Sequence, residues 1–590
     1  MISRRVGAVP LWLFLLIAAL GLAARVVGNE WGFLHAETYR SFGLELPDDI
    51  PDSRILGYYV HDEHSFTNFL DYTEHLRRTW DELRTGNLPL WQVPWQLYRG
   101  AVVPEVMAAT PLAPMIFSSL GIVVTVVLGG LGLGDTDWFT LVTHTYRYGR
   151  WATAFFAVAA MWPLALIFDR LRFGYRLQVV GLLLFALQPG AVATSHWMGY
   201  NPLSVALHLT AFVLLLKTYD RQSTRSEILV RRWLGVGAWL GLCLANKLTV
   251  LPLFPVVAVA AVESLWRGRF AAGNRKLDLR HLGPVAAVGA LLLVAIAAVY
   301  LFFVTPGLLQ GEIKGFRVQH QMVVGDTLAD ETGRLSRTWT YLTETLAVSI
   351  GVYPLLLGCV GLGLWLRNAA KGPIEPRLLL VWITFLVVGY TSNDLGLMPG
   401  RSLGVGALWL LPTLAVLDRL GGRRPGAAAA VAGLCVLSYA LSAVFLDRYF
   451  VLETDGYRTR ASRFVLAQVP RGEIFLLEHD SKYHHLDLSL AARKLSPDLH
   501  PYDFRFHAAP EPLPEPSWGA YWPDTPVPAS AELLATFSPC CLVQGQEPEV
   551  QTWLRRLAGQ PRLDALIFKA PGLKVYRFET AKPRGDELHP

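Results

Sequence analysis

The chain has 590 residues, 52% of them hydrophobic and only 17% charged. Many of its apolar runs reach the roughly 20 residues that cross a bilayer core, which excludes a soluble globular protein and predicts a polytopic membrane protein. The net charge of +6 lies mostly in short loops between apolar runs, where basic residues set orientation, and this argues against a nucleic-acid partner.

The first apolar run, Val6 to Val27, follows Arg4 and Arg5. It reads as a retained first span rather than a cleaved signal peptide, because its length suits a full crossing. A polar segment, residues 28 to 110, comes next. Within it Phe66, Phe69, Leu70, Leu76, Trp80 and Leu83 recur at helical spacing, which predicts an amphipathic helix on the membrane surface.

Further apolar runs occupy residues 112–133, 148–168, 177–195, 202–218, 233–245, 248–266, 282–304, 340–366, 378–392, 402–418 and 427–446. With 112–133 laid along the outer interface, five clusters all fall inside: Arg170/Arg172/Arg176, Lys217 to Arg232, Arg267 to Arg280, Arg367/Lys371/Arg377 and Arg419/Arg423/Arg424. If that run spans instead, every one of them falls outside, against the positive-inside bias. The reading is therefore about 11 transmembrane helices, with the N-terminus cytoplasmic and both the 28–110 loop and the C-terminal tail extracytoplasmic.

Beyond residue 447 the pattern changes. "SRFVLAQVP" (462–470) ends a helix, and "EIFLLE", "ALIFKA" and "LKVYRFE" read as strands of a small C-terminal α/β domain. The eight prolines between Pro501 and Pro528 predict a long ordered loop. The division is a transmembrane domain over 1–446 and an extracytoplasmic domain over 447–590. Cys540 and Cys541 are adjacent, and no zinc spacing or disulfide framework is present.

Chemistry-bearing residues collect at the predicted outer rim. "GYYVHDEHSFTNF" (57–69) sets Asp62 and Glu63 between His61 and His64, just before the amphipathic helix. Helix capping is one use for such acids; a proton acceptor facing a site at the rim is another. Arg147 and Arg150 open the 148–168 span, Lys247 sits in "LANKLT", and Arg401 lies in "LMPGRSLG". Each one alone can snorkel to headgroups, but four on the side that positive charge avoids point to a phosphate held there. Arg317, His320 and Gln321 in "FRVQHQ" are possible lining residues from the loop between Thr305 and Thr340. A carboxylate beside a phosphate suits glycosyl transfer from a lipid-phosphate sugar: one base activates the acceptor hydroxyl, and cations hold the leaving phosphate. Adjacent carboxylates are poorly placed for glycoside hydrolysis, which needs a separated pair.

In order and side, these motifs resemble those of the GT-C membrane glycosyltransferases, in particular the bacterial branch of protein O-mannosyltransferases and lipid A aminoarabinose transferases. "HDEHSF" resembles that family's Asp-Glu motif in the first outer loop, and "YRYGRWATAFFAV" its Arg-led second span. "WLGVGAWLGLCLANKLTVLPLFP" resembles its Gly-rich span ending in Lys, and "DGYRTRASRFVLAQVPRGEIFLLE" the start of its outer domain. The resemblance implies Asp62 as catalytic base, Glu63 as accessory carboxylate, Arg150 and Lys247 as ligands of the donor phosphate, and Arg401 as a further contact. It also implies a polyprenyl-phosphate sugar donor, a lipid, glycan or protein acceptor, no cofactor, no required metal, and a bacterial inner membrane. The chain departs from the lipid A branch at 108–114, "AATPLAP", where that branch carries an acid and a lysine. A transporter or flippase for a lipid-linked saccharide, a non-catalytic scaffold, and a ligase using a diphosphate-linked donor are the competing readings. The first predicts charged residues near mid-membrane and paired broken helices, whereas the span interiors are almost free of acids and no inverted symmetry of the broken-helix kind is visible.

Overall fold

The structure is a computed structural model. It describes residues 5–28, 33–41, 55–58, 70–100, 112–133, 135–196, 201–220, 226–246, 248–270, 282–303, 336, 338–369, 372–391, 403–452, 456–478, 486, 502–507, 517–521, 527, 531–537 and 573–578.

A short hairpin of β1 (Arg5–Val6) and β2 (Val9–Pro10) leads into α1 (Leu11–Val26). Strands β3 (Phe33–His35) and β4 (Ile55–Tyr58) pair antiparallel, with α2 (Ala36–Arg40) following β3. Then come α3 (Leu70–Arg84), α4 (Val93–Gly100), α5 (Leu112–Gly130), α6 (Trp138–Ala159) and α7 (Met161–Arg170). Asp137 starts α6 as an N-cap, its carboxylate accepting from the Thr140 amide at 2.7 Å. The predicted 177–195 span is two helices, α8 (Tyr175–Leu187) and α9 (Pro189–Thr194), divided at Gln188 because Pro189 has no amide hydrogen and fits only the first turn of a new helix.

The bundle continues with α10 (Asn201–Asp220), α11 (Ser226–Asn246), α12 (Leu253–Phe270) and α13 (Leu282–Phe303). A π-helical turn at Tyr341–Leu346 runs into α14 (Ala347–Ile350), and α15 (Val352–Asn368), α16 (Ile374–Thr391), α17 (Leu403–Gly421) and α18 (Pro425–Leu452) complete it. The protein is a helical integral membrane protein. Among the described residues five helices are long and apolar enough to cross a membrane, or six if the bent pair at Gly351 counts as one span.

That bend corrects the expectation of one straight span over 340–366. The helix axis turns by 119° between Ile350 and Val352. Gly351 makes the turn with φ of +76° and ψ of 152°, a region closed to side chains bearing a Cβ.

The apolar faces of these helices share one core, with Leu182, Phe185, Phe212, Leu240, Trp382 and Leu411 among its buried members. Close approach fixes the pairing of α11 with α13. A Cβ on Gly237 would fall 2.9 Å from the Leu292 carbonyl oxygen, and one on Gly241 would fall 2.7 Å from that of Ile296. The glycines are four apart and so are their partners, both rising together, so the two helices run parallel and α12 returns between them.

The ends of the bundle differ. At one end the β1–β2 hairpin rests on α7 and α8: the Ala8 amide donates to Gln178 Oε1 at 3.0 Å, beside Arg170, Arg172 and Arg176. The ion pair Arg377–Glu263 (2.8 Å) joins the start of α16 to α12 at the same kind of basic boundary. At the opposite end His196 meets the last carbonyl of the α1 segment, from Val27, and lies near Asp447 of α18.

The C-terminal region folds as α19 (Tyr457–Gln468) on a five-stranded sheet of β5 (Ile474–Glu478), β6 (Asp503–His507), β7 (Ser517–Tyr521), β8 (Ala531–Phe537) and β9 (Leu573–Phe578). The strand order is β6-β5-β7-β9-β8, parallel across β6-β5-β7 and antiparallel beyond. Alternation along β5 sends Phe475 and Leu477 toward α19 and Leu476 to the other face with Tyr521, Tyr576 and Phe578. Two strands lie in the segment predicted as a loop. The prolines stand at 501, 510, 512, 514, 516, 523, 526 and 528, outside both strands, so each keeps its ladder of amides. "ALIFKA" lies outside the described residues, as do Cys540 and Cys541.

Ala36 and Tyr39 of α2, both with no exposed surface, are part of the α19–sheet core. The first polar segment and the C-terminal sheet therefore sit together. The amphipathic helix is α3, and Leu76 and Trp80 of its apolar face pack on Leu88, Val93, Leu97, Ile122 and Leu141. That face is covered by α4, α5 and α6 rather than by lipid alone.

Candidate functional site

A small pocket lies where four elements converge at the end of the bundle opposite the basic boundary. Helix α10 contributes Asn201, Ser204 and His208, the one-turn helix Leu248–Val250 contributes Thr249, and α16 contributes Trp382 and Tyr390; Leu403 and Gly404 of α17 close it. Spacings of three and four put Asn201, Ser204 and His208 on one face of α10. At about 1.5 Å per residue the strip descends roughly 10 Å from the helix end.

The walls are braced from behind. Asn246, fully buried at the end of α11, donates through Nδ2 to Ser204 Oγ at 2.7 Å. Its Oδ1 is also buried and accepts no hydrogen bond among the described residues. Trp382 packs on Phe212 with ring centroids 5.2 Å apart, and Tyr390 stacks on Tyr341 of the π-helical turn at 6.0 Å and 7°. π-Helical turns inside α-helices recur at functional sites.

At the same end of the bundle, where α1 finishes, is a buried knot of charge. Arg25, with no exposed surface, donates to the carbonyls of Gly21 (2.7 Å), Phe185 (3.0 Å) and Ala186. Phe185 and Ala186 lie in the last turn of α8, where carbonyls run short of intrahelical donors; Phe185 also accepts from the Gln188 amide at 3.4 Å. His196 sets Nδ1 2.8 Å from the Val192 carbonyl and Nε2 2.7 Å from that of Val27, with Asp447 at 4.0 Å. A neutral imidazole donates to only one of these two carbonyls, and the protonated ring donates to both. Asp447 lies within electrostatic reach of Arg25, and His196 within reach of Arg25 and Arg150. His196 and Asn201 stand at the two ends of a single short connection, so the knot and the cavity are neighbours in the chain.

Of the residues singled out by sequence, Arg150 is fully buried and Arg147 half-buried one turn earlier on α6. Arg150 faces the His196 side of the bundle. His61, Asp62, Glu63, His64, Lys247, Arg317, His320, Gln321 and Arg401 lie outside the described residues. Their neighbours are informative. Asn246 and Thr249 bracket Lys247, and Leu403 follows Arg401 by two residues; Thr249 and Leu403 line the cavity and Asn246 supports it. Sequence reasoning did not single out Arg25, His196 and Asp447, nor the cavity strip. The signals were an arginine inside the first apolar run and the spaced polar residues of "NPLSVALH" in an otherwise apolar span. Among the described residues no three or more His, Cys, Asp or Glu cluster as a metal site would need.

No protein-family model matches the chain, and no curated protein matches it. Among solved structures it is similar to ArnT from Cupriavidus metallidurans bound to undecaprenyl phosphate, at 14% identity and a TM-score of 0.41, over 86% of this chain and 93% of that one. The apo state of the same protein is similar at 14% identity and a TM-score of 0.40, with the same coverage.

Proposed function

We propose that the protein is a GT-C-type glycosyltransferase that moves a sugar, hexosyl or pentosyl, from a polyprenyl-phosphate carrier to an acceptor hydroxyl, with inversion, at the extracytoplasmic face of the membrane. Asp62 takes the acceptor's proton and Glu63 shapes its surroundings. Arg150 and Lys247 hold the departing phosphate, with Arg401 and Arg147 as further phosphate contacts. His61, His64, Arg317, His320 and Gln321 are the further substrate-lining residues of this reading. About 11 spans over residues 1–446 form the transmembrane domain, with a cytoplasmic N-terminus, and residues 447–590 form the extracytoplasmic domain.

The observation that carries this reading is the cavity itself. It lies between the chain segments that hold Lys247 and Arg401, two cations that charge patterning assigns to the same side as Asp62. A phosphate there would sit among hydrocarbon-facing helices, where a bare anion is costly and a pair of cations offsets that cost. Phosphate is then both anchor and leaving group, and one base completes an inverting displacement.

The test is donor dependence of transfer in purified protein. Lys247→Gln and Arg401→Gln should each raise the KM for a polyprenyl-phosphate sugar and lower kcat/KM by at least about tenfold, the scale of a lost charge-assisted contact of about 1.5–3 kcal/mol. Unchanged kinetics in both variants would remove the phosphate site. A transporter reading draws on the broken helix at Gly351, but among the described residues it is the one span-length pair bent by more than 40°.

A further inference from the structure

We propose that His196 is a positioning residue: it ties together the two roots from which the C-terminal α19–sheet unit leaves the helix bundle, and through them it aligns the site. Its part in transfer rests on the reading above; the tie itself does not.

The unit stands on two legs. One is residues 453–456, which lead from α18 into α19. The other is residues 28–32, which lead from α1 into β3 and α2, where Ala36 and Tyr39 join the α19–sheet core. Arg463 Nη2 of α19 also donates to Ser41 Oγ, just past α2, at 3.4 Å. Relative motion is the default for a unit joined by linkers. Two short legs suppress it as long as their roots keep a fixed separation.

Both roots meet at His196. Val27 follows the last residue of α1, and its backbone turns out of the helix at φ −59° and ψ 124°. Its amide still donates to the Ala23 carbonyl at 3.1 Å, but its own carbonyl lies beyond the last helical turn and needs a partner from elsewhere. His196 supplies one, with Nε2 2.7 Å from that oxygen. The ring is fully buried and steadied by its own chain, Nδ1 lying 2.8 Å from the Val192 carbonyl one turn back.

The second root is Asp447, in the last turns of α18, whose Oδ1 lies 4.0 Å from the same Nε2. That oxygen is buried, accepts no hydrogen bond among the described residues, and is within electrostatic reach of Arg25. Arg25, two residues before Val27, fastens the end of α1 to the Phe185 and Ala186 carbonyls. Directed polar bonds thus join α1, the α8–α9 break and α18 at the level where both legs begin. Such bonds fix a register that apolar packing leaves loose, because pulling the Val27 carbonyl off His196 leaves polar groups unpaired.

The path to the chemistry is short. Strand β3 pairs with β4, Phe33 opposite Tyr58, and β4 packs on α6, the helix of Arg147 and Arg150. Asp62 follows Tyr58 by four residues. A shift at Val27 passes through this hairpin toward the base, while the phosphate cations stay with the bundle. The loss therefore falls on kcat and not on the KM for the donor.

The experiment uses the full chain in nanodiscs. His196→Phe keeps a ring and removes both nitrogens; His196→Gln keeps one N–H donor. Hydrogen exchange followed by mass spectrometry should be about tenfold faster in His196→Phe over residues 28–41 and 453–469, the scale of one lost hydrogen bond. Exchange in α10 and α17 should not change, and His196→Gln should fall between His196→Phe and the wild type. With polyprenyl-phosphate mannose or arabinose as donor, kcat should drop about tenfold or more in His196→Phe at unchanged KM, since alignment lost by about 1 Å is costly. If His196→Phe does not fold, His196→Gln decides, with leg exchange about threefold faster than the wild type. Exchange at both legs equal to the wild type would overturn the tie, whatever the kinetics. Faster exchange throughout the bundle, or faster leg exchange with kcat unmoved, would overturn the positioning role. A wild type that transfers neither sugar would overturn the reading of function, and leg exchange would still decide the tie.

Discussion

Gly241→Ala puts the packing of the cavity's support under direct strain. The added Cβ would lie 2.7 Å from the Ile296 carbonyl oxygen and 2.9 Å from Val299 Cβ. Non-bonded heavy atoms settle at about 3.5 Å or more, so α11 and α13 would have to part by roughly 0.8 Å. The first obstacle is backbone and cannot rotate away, and overpacking of this kind costs about 1–3 kcal/mol. The strain lies a little over one turn from Asn246, whose bond to Ser204 is 2.7 Å long, and a shift of that size loosens it. Thermal denaturation in detergent should show Gly241→Ala melting below the wild type, with weaker donor binding. Gly235, two turns back on the same helix, has nothing within 4 Å of its would-be Cβ, so Gly235→Ala should melt at or above the wild type, since alanine restricts the unfolded chain. A Gly241→Ala protein as stable as the wild type, or a Gly235→Ala protein as damaged as Gly241→Ala, would refute the close parallel packing of α11 on α13.

Asp447→Asn should lower stability by up to about 3 kcal/mol, because Arg25 and His196 then lose their nearby carboxylate while still buried; chemical denaturation in mixed micelles reads it. Arg25→Met removes the side-chain donor to the Phe185 and Ala186 carbonyls and should lower the melting temperature as well. In the C-terminal region, burial pushes the Tyr502 hydroxyl up to about 12 from its ordinary value of 10.0, while it donates to the Val465 and Val469 carbonyls. The neutral phenol is the form the fold favours, so this contribution is full below pH 10 and is lost as pH rises from about 10 to about 12. Tyr502→Phe should cost about 1 kcal/mol at neutral pH and flatten the alkaline loss, as followed by circular dichroism.

Much of the architecture was legible because lipid imposes simple rules. Apolar length marks helices, and the basic clusters from Arg170 to Arg424 mark one boundary. The hairpin at Gly7 and the Arg377–Glu263 pair fall at basic boundaries of this kind, while the cavity lies at the other end. Breaks were harder to read. Gly351 stands in an apolar run like many other glycines, and only its backbone angles distinguish it. The proline-rich stretch misled because prolines were counted over a window, whereas strands need only five residues free of them, as at 503–507 and 517–521. For the site, cations next to span ends were visible as sequence, but the polar strip of α10 was not singled out, since isolated Asn, Ser and His in a span usually find partners within the bundle. Arg25 was hidden by its apolar neighbours; its role depends on α8 carbonyls some 160 residues away.

The most direct measurement is transfer of labelled sugar from polyprenyl phosphate to membrane acceptors by purified protein in proteoliposomes, wild type against Asp62→Asn. The wild type should transfer label, and the variant should fold, bind the donor lipid and transfer none. Transfer by Asp62→Asn at the wild-type rate would contradict a carboxylate base at residue 62.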